Sequence, residues 1–323
     1  MKAIRFAKPG GPEVLALHDI PLPPLAPGQV CVRHTVIGVN FIDTYHRCGL
    51  YPLALPSGLG LEAAGVVETL GAGVSSLKIG DRVAYCTGPV GAYAEANNVP
   101  ADRVVKLPAS IADEVAAAAM LKGMTAQYLL KRTFAVQPGQ TILFHSAAGG
   151  VGLIAVQWAK QLGAHVIGTV GSDSKIELAK AHGCDQVFNI EKDDWVKGVR
   201  ELTGGAGVPV VYDSIGKDTF MGSLDCLSPR GMMVSFGNSS GPVPAFEPAL
   251  LSAKGSLYLT RPTLMHYTRT ARELQQTADD LFAVIASGAV KIAVNQRFAL
   301  GDARQAHEAL HSRKTTGATV LVP

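Results

Sequence analysis

Charged and aromatic side chains are scarce in this 323-residue chain, at 17% and 6%, and neither sign of charge gathers into a run. The 29 Lys and Arg are interspersed with 26 Asp and Glu, a formal balance of only +3, so the basic face that a nucleic acid requires is missing. Basic and aromatic residues do not interleave, which removes a base-stacking platform. Cysteine is sparse and scattered. Cys31, Cys48, Cys86, Cys184 and Cys226 form no close pair, which fits neither a disulfide framework nor a zinc cluster and points to a reducing cytosol. The segment Met1-Lys2-Ala3-Ile4-Arg5-Phe6 alternates like a strand and lacks the apolar core of a secretion signal, and no apolar run is long enough to span a bilayer. Apolar residues are plentiful, at 47%, and the length exceeds one typical domain. Two domains with large cores and a small-molecule partner are expected.

Two textures divide the chain. Up to about residue 120, β-like runs such as Val30 to Val36, Ala64 to Leu70 and Asp81 to Tyr85 are punctuated by Gly and Pro, the pattern of an antiparallel β domain. From about 122 to 262, strands alternate with helices. Thr141 to Phe144, His165 to Val170, Gln186 to Ile190, Val208 to Asp213, Met232 to Phe236 and Ser256 to Thr260 predict a doubly wound parallel sheet. The tail carries helices over Thr270 to Ser287 and Gly301 to Ser312, with strands near Asn295 to Phe298 and at Ala318 to Val322, and is expected to rejoin the first domain.

The most telling stretch runs from Thr141 through Phe144 into His145-Ser146-Ala147-Ala148-Gly149-Gly150-Val151-Gly152 and a helix over Val151 to Leu162. A glycine turn after a strand, before a helix and inside a β-α-β unit is a dinucleotide pyrophosphate site. Gly149 lets backbone approach the pyrophosphate, Gly152 lets the helix pack close to the strands, and Ala147 takes the first glycine's place. The first-turn N–H groups, with Ala148, Gly149, Gly150 and Val151 around them, supply an anion site made of backbone.

The next strand bears on which dinucleotide binds. An NAD-preferring site usually ends it with Asp or Glu on the ribose 2′-hydroxyl. Here Gly171 and Ser172 follow Val170, then Asp173, Ser174 and Lys175, so a hydroxyl and an ammonium lie where a 2′-phosphate needs donors and positive charge. NADPH is the expected cofactor. Two observations stand against it: Lys175 also opens a helix over Ser174 to Ala181, where an exposed lysine is ordinary, and an inward Asp173 would repel the phosphate.

Over its whole length the chain resembles the zinc-free quinone oxidoreductases of the medium-chain dehydrogenase/reductase superfamily, the group that includes zeta-crystallin. The resemblance is carried by Gly10-Gly11-Pro12-Glu13-Val14-Leu15, Val39-Asn40-Phe41-Ile42-Asp43-Thr44-Tyr45, Gly49-Leu50-Tyr51-Pro52, Leu121-Lys122-Gly123-Met124-Thr125-Ala126 and Phe144 to Gly152. It continues in Val211-Tyr212-Asp213-Ser214-Ile215-Gly216, Ser235-Phe236-Gly237-Asn238-Ser239-Ser240 and Gly255 to Pro262. It implies a doubly wound Rossmann sheet over 122–263 inserted into a mainly antiparallel, GroES-like catalytic domain formed by 1–121 and 264–323, usually paired into a homodimer through the cofactor domains. It also implies NADPH-dependent reduction of quinones.

The family pattern assigns further roles. The zinc alcohol dehydrogenases of the superfamily carry a Cys where this chain reads Asn40-Phe41-Ile42-Asp43, a Gly-His-Glu where it reads Gly60-Leu61-Glu62, and a four-cysteine lobe after Gly80-Asp81-Arg82-Val83. Zinc needs four N, S or O donors, or three plus water, and Leu61 supplies none, so no metal is expected. Glu62 stands alone, either as a catalytic group or as a paired carboxylate holding its loop. A quinone suits such a site, because hydride turns it into an aromatic phenolate that solvent or a hydroxyl can protonate. Asn40, Tyr45 and Tyr51 are the catalytic candidates, with an amide donor, flat faces for stacking and hydroxyls for hydrogen bonding. By resemblance, these three border the nicotinamide and the substrate, Thr125 and Tyr128 lie on the helix entering the cofactor domain, and Phe236, Asn238 and Ser239 end the fifth strand at the switch point. Arg261 and Arg313 are expected to reach toward the cofactor. Relatives often carry a tyrosine beside the 2′-phosphate where this chain has Asn189-Ile190-Glu191.

Two other functions remain open at this level. One is zinc-free reduction of α,β-unsaturated ketones and aldehydes, which needs a better oxyanion donor. The other is an NADPH-binding structural or RNA-binding protein of zeta-crystallin type, against which the near-neutral charge argues.

Overall fold

The computed structural model describes all 323 residues. In chain order the first part contributes β1 (Lys2–Phe6), β2 (Ala16–Asp19), β3 (Gln29–Val39), α1 (Phe41–Cys48), β4 (Ser57–Gly58), β5 (Glu62–Leu70), β6 (Arg82–Tyr85), β7 (Ala96–Pro100), β8 (Val105–Lys106) and α2 (Asp113–Tyr128). Then come β9 (Thr141–Phe144), α3 (Gly150–Gln161), β10 (His165–Val170), α4 (Ile176–Ala181), β11 (Gln186–Asn189), α5 (Trp195–Leu202), β12 (Val208–Asp213), α6 (Phe220–Cys226), β13 (Leu227–Ser235), α7 (Ala249–Ala253) and β14 (Tyr258–Thr260). The tail adds α8 (Leu264–Tyr267), α9 (Ala271–Ala286), β15 (Val294–Ala299), α10 (Ala303–His311) and β16 (Ala318–Val322). Two compact units result: Met1–Met124 with Tyr267–Ala286 and Ile292–Pro323, and Thr125–His266 with Ser287–Lys291.

The first unit is built on a seven-stranded sheet ordered β15-β16-β3-β5-β6-β8, with β7 also pairing β3, and a smaller sheet ordered β2-β1-β4. Most pairs are antiparallel, but β15 and β16 run parallel, because α10 carries the chain back between them. The tail rejoins this unit through β16, whose Thr319, Val320 and Leu321 face Val39, Gly38 and Ile37 of β3. Alternating residues of these strands, among them Ile4, Phe6, Val30, Val32, Val67, Val83 and Leu321, converge in one apolar core. Ala116 to Met120 of α2 are all buried, the behaviour of a helix enclosed by its own protein.

The second unit is a six-stranded parallel sheet ordered β11-β10-β9-β12-β13-β14. Counted within the unit this is 3-2-1-4-5-6, the doubly wound order, with its switch point between β9 and β12. Val208, Val210, Val211 and Tyr212 of β12 are all buried, as a central parallel strand requires. Pro209 is accommodated near the start of that strand, where the register with β13 shifts between Val208 and Val210.

Several boundaries differ from those expected. The fifth strand starts at Leu227, earlier than Met232, and ends at Ser235, so Phe236 lies just beyond it. The helix expected from Ser174 begins at Ile176, because Lys175 N closes a tight turn on Ser172 O and Asp173–Lys175 forms a 3-10 turn. No helix of the chain is long and apolar enough to cross a membrane.

Candidate active site

In the second unit the turn after β9 is tied across three strand ends. His145 N donates to Tyr212 O at 3.0 Å and Ala147 N to Thr169 O at 2.9 Å. The left-handed residue of the turn is Ser146, at φ +54°, and not a glycine. The glycines serve closeness. A Cβ at Gly149 would lie 3.2 Å from Ser146 O, and one at Gly152 would lie 2.2 Å from the same oxygen, inside any tolerable contact. Gly149 caps α3, so the N–H groups of Gly150, Val151 and Gly152 have no carbonyl one turn before them and lie at the positive end of the helix. Ala148 is buried beneath them. This cradle fits a pyrophosphate.

After β10, a Cβ on Gly171 would meet nothing within 4 Å. Ser172 Oγ lies 3.0 Å from Ser174 Oγ. Lys175 is half-buried, and burial draws its ammonium below its ordinary value. Asp173 is already engaged: Lys192 pairs with one oxygen and Asn189 Nδ2 donates to the other at 2.6 Å. Those partners, Lys192 first, hold its carboxyl below the usual range. The residues around the end of β10 therefore fit a 2′-phosphate. Ile190 offers only backbone, its N–H donating to Val170 O at 2.9 Å.

At the switch point, Phe236 N donates to Asp213 O at 2.7 Å and Ser239 N to Ser214 O at 3.1 Å. Arg261 Nη1 donates to Ser235 O at 2.9 Å. With the Asn238 amide turned to suit its neighbours, its oxygen accepts from Arg261 Nη2 at 3.2 Å and its nitrogen donates to Gly237 O. Phe236, Asn238, Ser239 and Arg261 thus share one corner. Thr125 and Tyr128 are both buried on α2. Arg313 is exposed just past α10, at φ +57°.

In the first unit Asn40, Tyr45 and Tyr51 come together because α1 is short. Asn40 caps its start, Tyr45 lies within it, and Gly49 ends it at φ +83°, turning the chain so that Tyr51 N donates to Tyr45 O at 3.1 Å. The two tyrosine rings meet edge to face at 5.2 Å, and Phe41 meets Tyr45 in the same way at 5.6 Å. Asn40 Nδ2 donates to Glu62 Oε2 at 2.7 Å. Glu62 has no exposed surface, and it also takes Leu121 N at 2.6 Å and Lys122 Nζ at 3.2 Å. It is a paired carboxylate, with Gly38 leaving it room: a Cβ there would lie 2.2 Å from Glu62 Oε2.

The sequence signals missed two partners of this helix, Tyr93 and His307, and the roles of its own Asp43 and Arg47. Asp43 Oδ2 accepts from Asn40 N at 2.9 Å and from Tyr93 Oη at 2.9 Å, while Asp43 Oδ1 is buried without a partner. Burial pushes the Asp43 carboxyl up to about 7 against those two hydrogen bonds. Tyr93 in turn meets His307, and His307 meets Arg47. The Asn40-x-x-Asp43 spacing was a readable capping signal. Tyr93 and His307 had none, lying 50 and more than 200 residues from their contacts. No group of three or more His, Cys, Asp or Glu is arranged to hold a metal ion.

Comparison with known proteins finds relatives of both parts of the chain. Two family models match in chain order, one described as an alcohol dehydrogenase GroES-like domain over residues 26–109 and one as a zinc-binding dehydrogenase over residues 150–283. The chain is 54% identical over 323 residues to a quinone oxidoreductase of Pseudomonas aeruginosa, covering 100% of this chain and 99% of that protein. It is 53% identical to a quinone oxidoreductase of Salmonella typhimurium, covering 99% of each. The crystal structure of Escherichia coli quinone oxidoreductase complexed with NADPH superposes with a TM-score of 0.99 at 51% identity, covering 100% of both chains. By identity over its full length and by its two domains in this order, the chain belongs to the quinone oxidoreductases of the medium-chain dehydrogenase/reductase superfamily.

Proposed function

We propose that this chain reduces quinones with NADPH and without a metal ion, residues 122–263 binding the cofactor and residues 1–121 with 264–323 binding the quinone. The observation that carries the cofactor half is the Gly149–Gly152 cradle followed by Ser172 and Lys175 with Asp173 engaged elsewhere. Bound NADPH supplies a hydride, which with one proton converts the quinone to its hydroquinone and leaves NADP⁺. The backbone of Ala148 to Val151 binds the pyrophosphate, and Gly171, Ser172 and Lys175 hold the 2′-phosphate. Thr125, Tyr128, Phe236, Asn238, Ser239, Arg261 and Arg313 orient the remainder of the cofactor, joined by Asn40. Tyr45 and Tyr51 offer faces to a flat ring, and Asn40 and the tyrosine hydroxyls offer hydrogen bonds to the oxygen on which charge develops.

Donor chemistry supports the metal-free reading, since Leu61 is apolar and Glu62 is taken up by Asn40, Leu121 and Lys122. Pairing of two copies through their cofactor units is supported by the edge strand β14, where Tyr258 is 60% exposed and Leu259 36%. Five free cysteines support a reducing, cytoplasmic setting.

The test is anaerobic oxidation of NADPH by chelator-treated protein, comparing a small quinone with a short-chain enone at matched concentrations. Turnover of the quinone is the expected result. Preference for the enone would make the chain an alkenone reductase, and tight NADPH binding without turnover of either would make it a binding protein.

A further inference from the structure

Arg47 is among the most deeply buried large side chains, 1% exposed, yet its guanidinium donates only to neutral acceptors, Gly10 O at 3.2 Å and His307 Nδ1 at 2.9 Å. Since arginine can only donate, His307 Nδ1 must carry a lone pair, and the neutral ring then holds its proton on Nε2. That proton points to Tyr93 Oη at 3.1 Å, and the Tyr93 hydroxyl donates to Asp43 Oδ2 at 2.9 Å. Every link runs one way, from a buried cation to a buried carboxyl. Burial, with Arg47 adding to it, pushes His307 down to about 3, in keeping with the neutral tautomer the geometry requires. Asp43 and Arg47 lie four residues apart on α1, a spacing at which an acid and a base usually pair directly. Here the link leaves the helix, passes through Tyr93 and through His307 of α10, and returns.

We propose that Arg47, His307 and Tyr93 are positioning residues, a bracket of one-way hydrogen bonds that sets helix α1 and so aims Asn40, Tyr45 and Tyr51. The proposal rests on the functional reading of those three residues. The connection is short: Asp43 Oδ2 also holds Asn40 N, Tyr45 lies inside the bracketed turn, and Tyr51 N hangs on Tyr45 O. A misplacement of about 1 Å can cost a reaction about 100-fold, so loosening such a bracket is read in turnover.

The experiment compares Tyr93→Phe, which keeps the ring and removes the two links made by the hydroxyl, with His307→Leu, which removes the two made by the imidazole, and His307→Gln, whose amide can still accept from Arg47 and donate to Tyr93. In Tyr93→Phe and His307→Leu, kcat/KM for the quinone is expected to fall about 10- to 100-fold, chiefly in kcat. The double variant should fall no further than the worse single variant, as members of one chain do. His307→Gln should recover most of the activity. Hydrogen exchange of the α1 amides should quicken in Tyr93→Phe and His307→Leu while β3 and β5 stay protected. Unchanged kcat/KM in Tyr93→Phe, or His307→Gln no better than His307→Leu, would overturn the proposal. Should His307→Leu fail to fold, Tyr93→Phe and His307→Gln decide alone. A wild-type protein that reduces no quinone defeats the functional reading only. The α1 exchange then decides the bracket, quickened in Tyr93→Phe if it exists and unaltered if it does not.

Discussion

Two buried aspartates, one in each unit, are held in opposite ways. Asp213, at the end of β12, accepts from Ile215 N, Gly216 N, Thr219 Oγ1 and Ser223 Oγ, so both oxygens are filled by neutral donors from the next turn and helix. Asp43, in the first turn of α1, fills one oxygen and leaves the other bare. In the second unit the Asp213 carboxylate is satisfied by residues at most ten positions away, and the first turn of α3 leaves backbone N–H groups without intrahelical carbonyls. In the first unit, charged side chains from distant segments approach the buried carboxylates: Lys122 on Glu62 and, through two intermediaries, Arg47 toward Asp43.

The comparison breaks most directly at Lys122. Lys122→Met leaves Glu62 buried with its charge uncompensated and is expected to cost about 3 to 5 kcal/mol, read as a lower urea midpoint. Adding Glu62→Gln should return part of it. Lys175→Ala is expected to weaken NADPH binding by about 1 to 3 kcal/mol and barely touch NADH; titrations showing equal loss for both would remove the 2′-phosphate assignment. In the neutral network around Asp213, Thr219→Val removes one donor of four and should cost about 1 to 2 kcal/mol with NADPH affinity kept.

The smallest effect concerns pH. Burial pushes His34 and His307 down to about 4 and 3. Each therefore takes up a proton on unfolding in mild acid, and the stability it gives above pH 6.5 is lost as pH falls toward those values. Asp43, raised to about 7, acts in the opposite sense: it releases a proton on unfolding, and its contribution, full below the ordinary carboxylate value, is lost as pH rises through 7. Two uptakes against one release leave about one proton, so these groups lower stability by about 1.4 kcal/mol per pH unit between pH 6 and 5. Asp43→Asn should roughly double that slope in denaturant melts, and an unchanged slope would show that Asp43 stays ionised.

How far the site could be read in advance differed between the units for the same reason. Gly149, Gly152, Ser172 and Lys175 stand within one β-α-β unit, so their spacing alone suggested a dinucleotide. What the spacing left open was Asp173, whose threat to a phosphate is removed by Lys192, 19 residues away. Asn40, Tyr45 and Tyr51 were legible as donor and ring types close in sequence. Their supports were not: Glu62 carried two readings until Lys122 and Leu121 N were seen on it, and His307 gave no signal at all. Element ends slipped where a turn overrode the pattern, at the helix start by Lys175 and at the strand end by Phe236.

Periodicity and glycine placement determined the doubly wound sheet, its anion cradle and the β texture of the remainder, because those signals act between residues a few positions apart. Only the tertiary structure decided which carboxylates are compensated, which histidine tautomer is held and which distant side chains meet α1. Those outcomes depend on side chains as far apart as Arg47 and His307, 260 residues along the chain, meeting where water is excluded and every unfilled hydrogen bond is costly.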